Sequence, residues 1–410
     1  MVHNVSVSGF LRPVAAGLCT IFAFSAMPAE AAKKHQPVKH NAVAKKKQRQ
    51  EQPTPQQRDG KIQLRSSVAI DGETGKIIGE VRNANGEIID AGECNPKPAG
   101  CFQRRSPASL TKLMTAMVEF DAIKAGEVKI TDRHPLVDGE MIGRQGAVTL
   151  KKKGIRPGTN LSLDDYTNAI AVTSAADATM TVSKALCGTT DCIVDLMNAK
   201  LKVIFRDNVH GLHTNFANPH GMPDDEQYTT AYDQAVIVRY MAKNYHDLAT
   251  KYFGKTEYHI GVRLFTGHNG VLAHYTCKNS LGLPYNCMEF GKTGYFKTPE
   301  PGGLPAMYCV AGSAAWNGYR VIAATLGYGS PGNSGPRDAE ETRLFKKGFE
   351  ELTKNRAPQT VPMPLHFPTL IPPNVAPEPD QTQPTSQINT PLSYPGLSGQ
   401  PSILAAAAPR

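Results

Sequence analysis

No His-Glu-x-x-His, no Cys-x-x-Cys or Cys-x-x-His, and no Gly-x-Ser-x-Gly occurs in the 410 residues. These absences remove the common zinc peptidases, the zinc-ribbon sites and the α/β-hydrolase nucleophile elbow. After residue 27 no apolar run approaches the ~20 residues needed to cross a bilayer. Acids are in short supply, 36 Asp+Glu against 45 Lys+Arg, for a net charge of +9. A basic excess invites a nucleic-acid partner until the charge is located. Residues 32–61 hold Lys33, Lys34, Lys39, Lys45, Lys46, Lys47, Arg49, Arg58 and Lys61 against only Glu51 and Asp59, which leaves +2 for 62–355. The excess lies in one leader segment, and no nucleic-acid partner is expected.

What is present divides the chain into four parts. Residues 1–31 read as a cleaved secretory signal, with Arg12 before the apolar stretch Val14–Met27 and Ala29, Ala31 and Ala32 at the cleavage site. Residues 32–61 are Lys-, Gln- and Pro-rich without apolar periodicity, so a disordered basic tether is expected. Residues 356–410 carry thirteen prolines and read as a disordered tail. The globular domain is then 62–355.

Seven cysteines follow the signal. Six form close pairs, Cys94/Cys101, Cys187/Cys192 and Cys277/Cys287, as local disulfides would in an oxidising compartment; Cys309 sits in the apolar AMYCVAG run and reads as a buried thiol. The protein is expected to be periplasmic or secreted.

Within the domain, residues 66–81 alternate and turn like a hairpin around Gly72 and Gly75. Apolar residues at helical spacing predict a helix from Ser109 to Gly126. LSLDDYTNAIAVTSAADATMTVSKAL reads as two helical stretches broken near Thr173–Ser174. Another helix is predicted in TTAYDQAVIVRYMAKNY, strands in MEFGKTGYF, AMYCVAGSAA and YRVIAATLGY, and a closing helix in DAEETRLFKKGFEEL. Strands at both ends with helices between indicate an α+β domain built on an antiparallel sheet.

Three short motifs carry chemistry. Ser109-Leu110-Thr111-Lys112 places a hydroxyl and an amine one turn apart. A serine needs a base, and a lysine serves when burial lowers its pKa. Lys292-Thr293-Gly294 lies on a predicted strand, and Ser174 lies between the two motifs. Ser-x-x-Lys, a Ser-led middle motif and Lys-Thr-Gly, in this order, form the signature of penicillin-binding proteins and serine β-lactamases.

PASLTKLMTA, IRPGTNLSLDDYTNAIAVTSAADA, NPHGMPDDEQYTTAYDQAVI and GKTGY resemble the serine D-alanyl-D-alanine carboxypeptidase family, the low-molecular-weight penicillin-binding proteins. The resemblance implies a β-lactamase/transpeptidase-like fold, an antiparallel sheet flanked by helices with an all-helical lobe. It implies removal of the terminal D-alanine from peptidoglycan stem peptides through an acyl-enzyme, with β-lactams as inhibitors and no cofactor or metal. Ser109 would be the nucleophile, Lys112 the base and Ser174 a proton relay. Lys292, Thr293 and Gly294 would bind substrate, and the N–H groups of Ser109 and Tyr295 would form the oxyanion hole. Gly294 would let the substrate backbone lie against the strand edge.

The departures are as informative. The middle motif reads Ser174-Ala175-Ala176-Asp177, so the asparagine of Ser-x-Asn is replaced by Ala176, and Asp177 lies one position on. That leaves open a weakly active penicillin-binding scaffold or sensor, beside endopeptidase action on cross-links. A fast β-lactamase is disfavoured, because no Glu-x-x-x-Asn occurs between Ala176 and Lys292. The 296–307 segment is long and Pro/Gly-rich, placed to shape the cleft or to be a plain surface insertion. After Leu352 nothing resembles an amphipathic anchor helix, so membrane contact is expected to be at most peripheral, through the basic tether. His210, His213 and His220 lack ligand spacing, and His268 and Asn269 read as structural.

Overall fold

The computed structural model describes residues 65–278, 282, 284–296, 308–330, 332–355 and 357. All lie within one of the two units into which the chain divides, Gly60–Arg410. The leader, the basic segment 32–61, nearly all of the Pro-rich tail and residues 297–307 fall outside the described residues.

Five antiparallel strands form the central sheet: β1 (Ser66–Asp71), β2 (Cys94–Asn95), β3 (Met288–Tyr295), β4 (Tyr308–Trp316) and β5 (Tyr319–Tyr328), in the order β3-β4-β5-β1-β2. β4 and β5 join through Asn317-Gly318, both at positive φ (48° and 77°), the backbone that a two-residue hairpin requires. All ten β5 residues are buried, because both faces of the sheet are covered. Ile322, Ala324 and Leu326 enter the core beneath the helical lobe, while Val321 and Ala323 enter the core beneath the closing helix. This is the α+β architecture expected.

The helices are α1 (Thr111–Lys124), α2 (Glu140–Arg144), α3 (Leu163–Asn168), α4 (Ala176–Cys187), α5 (Thr190–Ile204), α6 (Ala231–Asn244), α7 (His246–Phe253), α8 (Gly270–His274) and α9 (Gly335–Asn355). α1, α4 and α5 pack on one another, and α6 ties them to the sheet. α9 covers the opposite face. A capping box at Ser162 and Asp165 starts α3, and the Thr230 hydroxyl caps α6.

One local expectation is corrected. Residues 66–81 do not form a hairpin of two full strands. β1 pairs along its whole length with β5, Ser66 opposite Leu326 to Asp71 opposite Val321, and the returning segment keeps a single bridge, Ile70 to Ile77. The ladder with a fully buried strand outweighs the local turn. The three cysteine pairs are joined as expected, Cys94–Cys101, Cys187–Cys192 and Cys277–Cys287, and Cys309 is buried.

A buried ionic cluster anchors the start of β3. Glu289 is fully enclosed and accepts two bonds of 2.8 Å from Arg320, one of 2.6 Å from the Ser313 hydroxyl, and lies 2.9 Å from His246 Nε2. Burial would raise the Glu289 pKa, but Arg320, His246 and Ser313 outweigh it and hold it down to about 2. The Glu289 bond raises the His246 pKa against the effect of burial. The glutamate's contribution to stability is present above its ordinary pKa of about 4.3 and lost as pH falls through about 2. That of His246 is present below its ordinary pKa of about 6.5 and lost as pH rises through its raised value. Glu289→Gln is expected to cost about 3–5 kcal/mol near neutrality. In thermal melts across pH it should also flatten the acid limb between about pH 4.3 and 2.

Candidate active site

Ser109 lies in a short 3-10 turn, Ala108–Leu110, that leads into α1 at Thr111. The preceding Ala108 has φ 47°, a left-handed conformation that costs a non-glycine residue ~1–3 kcal/mol and persists only where surroundings enforce it. Here four segments do so. The Thr111 hydroxyl donates to the Ala108 carbonyl at 2.8 Å, and the buried Cys309 thiol of β4 donates to the Pro107 carbonyl at 3.6 Å. Gly294 of β3 faces the turn so closely that a Cβ would lie 2.5 Å from Cys309 Sγ, 2.9 Å from Ala108 Cβ and 3.0 Å from Ser109 N. Gly221, at φ +84°, lies against the Ala108 carbonyl with no room for a Cβ. Gly294 is therefore required by packing from within the fold, a different reason from the substrate contact expected of it.

Lys112, 1% exposed, points its amine at Ser109 Oγ, 3.0 Å away, and also donates to the His220 carbonyl. That carbonyl belongs to the turn Asn218-Pro219-His220-Gly221, which Asn218 closes by accepting from Gly221 N at 2.8 Å. The same turn accepts the Thr115 hydroxyl on the Pro219 carbonyl at 2.8 Å. Burial drives the Lys112 pKa well below its ordinary value, the nearby Lys292 cation pushes the same way, and Asp177 opposes them. The His220 imidazole is held down to about 3 by burial and by Lys112. His210 packs instead against Phe102 and Tyr232, and His213 contacts the His210 carbonyl. The three histidines do not converge.

Lys292, 2% exposed, sits on edge strand β3 opposite Ala311 and donates to the Thr293 carbonyl at 2.8 Å. Burial lowers its pKa to about 7; Arg337 adds to the shift, and Cys309 opposes it. Arg337, at the start of α9 and almost wholly buried, is held by Asp338 (2.6 and 2.8 Å) and the His268 carbonyl (3.4 Å), and lies over the Tyr308 ring. Tyr308 stacks on Tyr295 at 4.3 Å, at the end of the Lys-Thr-Gly strand. The sequence reading missed Arg337, because an arginine beside acids in the closing helix carries no motif. It also missed the His220 carbonyl, because a backbone acceptor leaves no side-chain signature.

The middle motif breaks as predicted. α3 runs into a π-turn, Ala169–Thr173, and Ser174 takes the left-handed conformation, φ 62°. Its Oγ is buried and bonds to no described group, Ser109 and Lys112 included. Ala176 is buried, its N–H donating to the Val148 carbonyl at 2.8 Å. Asp177 turns away and accepts from the N–H groups of Leu150 (2.8 Å), Lys151 (3.0 Å) and Ala178 (2.9 Å). It holds the neighbouring loop rather than supplying the group missing at Ala176. Asn269 caps α8 through Leu272 N.

The site thus brings together a serine and a buried lysine whose pKa is driven well down, with a second buried lysine and a buried arginine nearby. Such a set can deprotonate the serine and hold an anion beside it. The D-alanyl-D-alanine carboxypeptidase profile matches residues 99–330. D-alanyl-D-alanine carboxypeptidase DacF of Bacillus subtilis is 27% identical over 70% of this chain and 63% of its own length. DacA of Haemophilus influenzae is 29% identical over 60% and 56%. The chain thus spans less than two thirds of these relatives. Penicillin-binding protein 5 from Haemophilus influenzae shares the fold at TM-score 0.53 and 24% identity, over 70% of each chain. So does penicillin-binding protein D2 from Listeria monocytogenes, solved in a cefotaxime-bound form, at TM-score 0.53 and 20% identity over 69% and 96%.

The contact between Gly221 and the Ala108 carbonyl gives a direct test. Gly126, at φ +74° with nothing nearby, reports the backbone cost of alanine alone. Gly221→Ala should lower the unfolding free energy in urea by about 1–3 kcal/mol more than Gly126→Ala does.

Proposed function

The chain belongs to the D-alanyl-D-alanine carboxypeptidase family, and from that premise we propose that it is an exported serine peptidase removing the terminal D-alanine from peptidoglycan stem peptides. The observation that carries the reading is the Ser109–Lys112 pair: 3.0 Å apart, with the amine buried beside a second cation. Two lysines buried near one another disfavour each other's charge. We take Lys112, whose pKa is driven well below its usual range, as the neutral base. One of its N–H bonds goes to the His220 carbonyl, and with its nitrogen 3.0 Å from Ser109 Oγ it can accept the Ser109 proton.

Ser109 Oγ attacks the carbonyl between the two D-alanines as Lys112 takes its proton, and the C–N bond then breaks. The Ser109 and Tyr295 N–H groups stabilise the oxyanion, a contribution of ~3–4 kcal/mol per donor. Ser174, whose buried hydroxyl bonds to no other group among the described residues, passes a proton to the departing D-alanine nitrogen. Lys292, Thr293 and Arg337 hold the substrate's C-terminal carboxylate, whose charge returns Lys292 to its protonated form. Water then releases the shortened peptide. The same serine is the target we assign to β-lactams. The three disulfides support an oxidising compartment, and with it the signal peptide, the basic tether 32–61 and the Pro-rich tail.

Ala176 favours one second reading, a penicillin-binding scaffold or sensor with little turnover. The amide that Ser-x-Asn would supply is absent, and Asp177 is committed to the 150–151 backbone.

Incubation of the full chain with a fluorescent penicillin, and separately with a peptide ending in D-Ala-D-Ala, distinguishes the readings. We expect labelling and D-alanine release, both abolished in Ser109→Ala. Labelling without release would favour the scaffold, and no labelling would sink both. Ala176→Asn should raise the acylation rate by about tenfold or more, the kinetic equivalent of ~1.5–3 kcal/mol for one hydrogen bond to a charged or strongly polarised group.

A further inference from the structure

Nine large apolar side chains are exposed among the described residues, and four of them, Met141 (72% exposed), Val148 (41%), Val262 (100%) and Leu264 (53%), stand on segments that hydrogen-bond to one another. Three contiguous pieces carry them: α2, the 147–156 loop, and the hairpin of Glu257–Ile260 with Arg263–Thr266. Lys152 joins the first two by donating to the Gly143 carbonyl at the end of α2. Arg263 joins the hairpin to the loop by donating to the Lys153 (3.3 Å) and Gly154 (2.9 Å) carbonyls. The pleat sends Tyr258 and Phe265 inward, stacked on each other, and Leu264 outward. Val262 stands at the two-residue tip after Gly261.

The same face is strongly basic. Residues 141–156 contain Arg144, Lys151, Lys152, Lys153 and Arg156 and no acid, and Arg263 adds a sixth cation. On a domain whose net charge is only +2, this is a local concentration. Asp138 and Glu140 border it, paired with Lys151 and Arg144. Asp177 is buried beneath it, and Glu257 stands at the far end of the hairpin. Lys153 and Arg156 are exposed and form no ion pair among the described residues.

We propose that this face docks the protein on an anionic lipid surface, the aliphatic side chains entering the headgroup region and the cations meeting lipid phosphates. Cations alone would suit any acidic ligand. A fully exposed valine at a hairpin tip, flanked by arginine and with three further aliphatic side chains on the same bonded segments, suits an interface that is apolar below and anionic above. The contact is independent of the 32–61 tether and needs no spanning helix. It lies beside the middle motif, through the bond from Ala176 N to the Val148 carbonyl.

The test is sedimentation of the full chain with vesicles of phosphatidylglycerol and phosphatidylcholine in equal parts, at low salt, with polyglutamate binding measured in parallel. Because the basic leader binds anions too, every variant is compared with the parent chain. Lys153→Glu with Arg156→Glu should reduce vesicle partitioning at least tenfold. Val262→Ser with Leu264→Ser, which leaves the charge unchanged, should reduce it by about three- to tenfold while polyglutamate binding stays the same. Met141→Ser, on a separate element, repeats the aliphatic test should the hairpin variant melt early. Partitioning equal to the parent in all variants would overturn the proposal. So would loss in the charge variant alone, which would assign the face to soluble acidic ligands.

Discussion

Everything at the site depends on one strained peptide, the left-handed Ala108. It directly precedes Ser109, whose Oγ lies 3.0 Å from the Lys112 amine. No local preference favours it, since alanine gains nothing at φ 47°. It is enforced by residues distant in sequence, the Cys309 thiol, the glycine of Lys-Thr-Gly and the glycine after His220. The sheet, the helical lobe and the 218–221 turn must all be in place before the nucleophile is. The strain is thus maintained by tertiary structure, as is usual where backbone outliers persist.

The second organising fact is electrostatic. Lys112 and Lys292 are buried, Asp177 is committed to backbone amides, and Arg337 is paired with Asp338 and lies near the buried Glu341. Burial and the Lys292 cation drive the Lys112 pKa well down, which suits the base we propose, and burial lowers Lys292 to about 7. Ala176 fits this picture as a missing amide rather than a missing charge, so nucleophile and base remain without it.

Much of this was legible in the residues. The spacing of Ser109 and Lys112, the helical break at Ser174, the strand under Lys292 and the three cysteine pairs are local patterns, and local patterns survive folding. What was not legible is non-local. The turn at Gly72 and Gly75 looked like a hairpin, but β1 found a better partner some 250 positions later in β5. The His220 carbonyl is invisible because every residue has one. The sequence points to Gly294 through substrate contact, whereas its packing against Ala108 and Cys309 is not visible there, since those neighbours reach it only in the fold. The aliphatic and basic face beside the cleft was hidden for the same reason, split between residues 141–156 and 262–264.

In the proposed reaction Lys112 must be neutral when Ser109 attacks. The direct measurement is an NMR pH titration of the full chain with ¹³C-labelled lysine side chains, the Lys112 Cε signal assigned by comparison with Lys112→Arg. The account predicts that this signal titrates well below the ordinary lysine range, because burial and the Lys292 cation both disfavour its charged form. Replacing Lys292 with methionine should move it back up by removing that cation. A Lys112 signal that stays in its protonated position until about pH 10.4, as an exposed lysine would, contradicts the account.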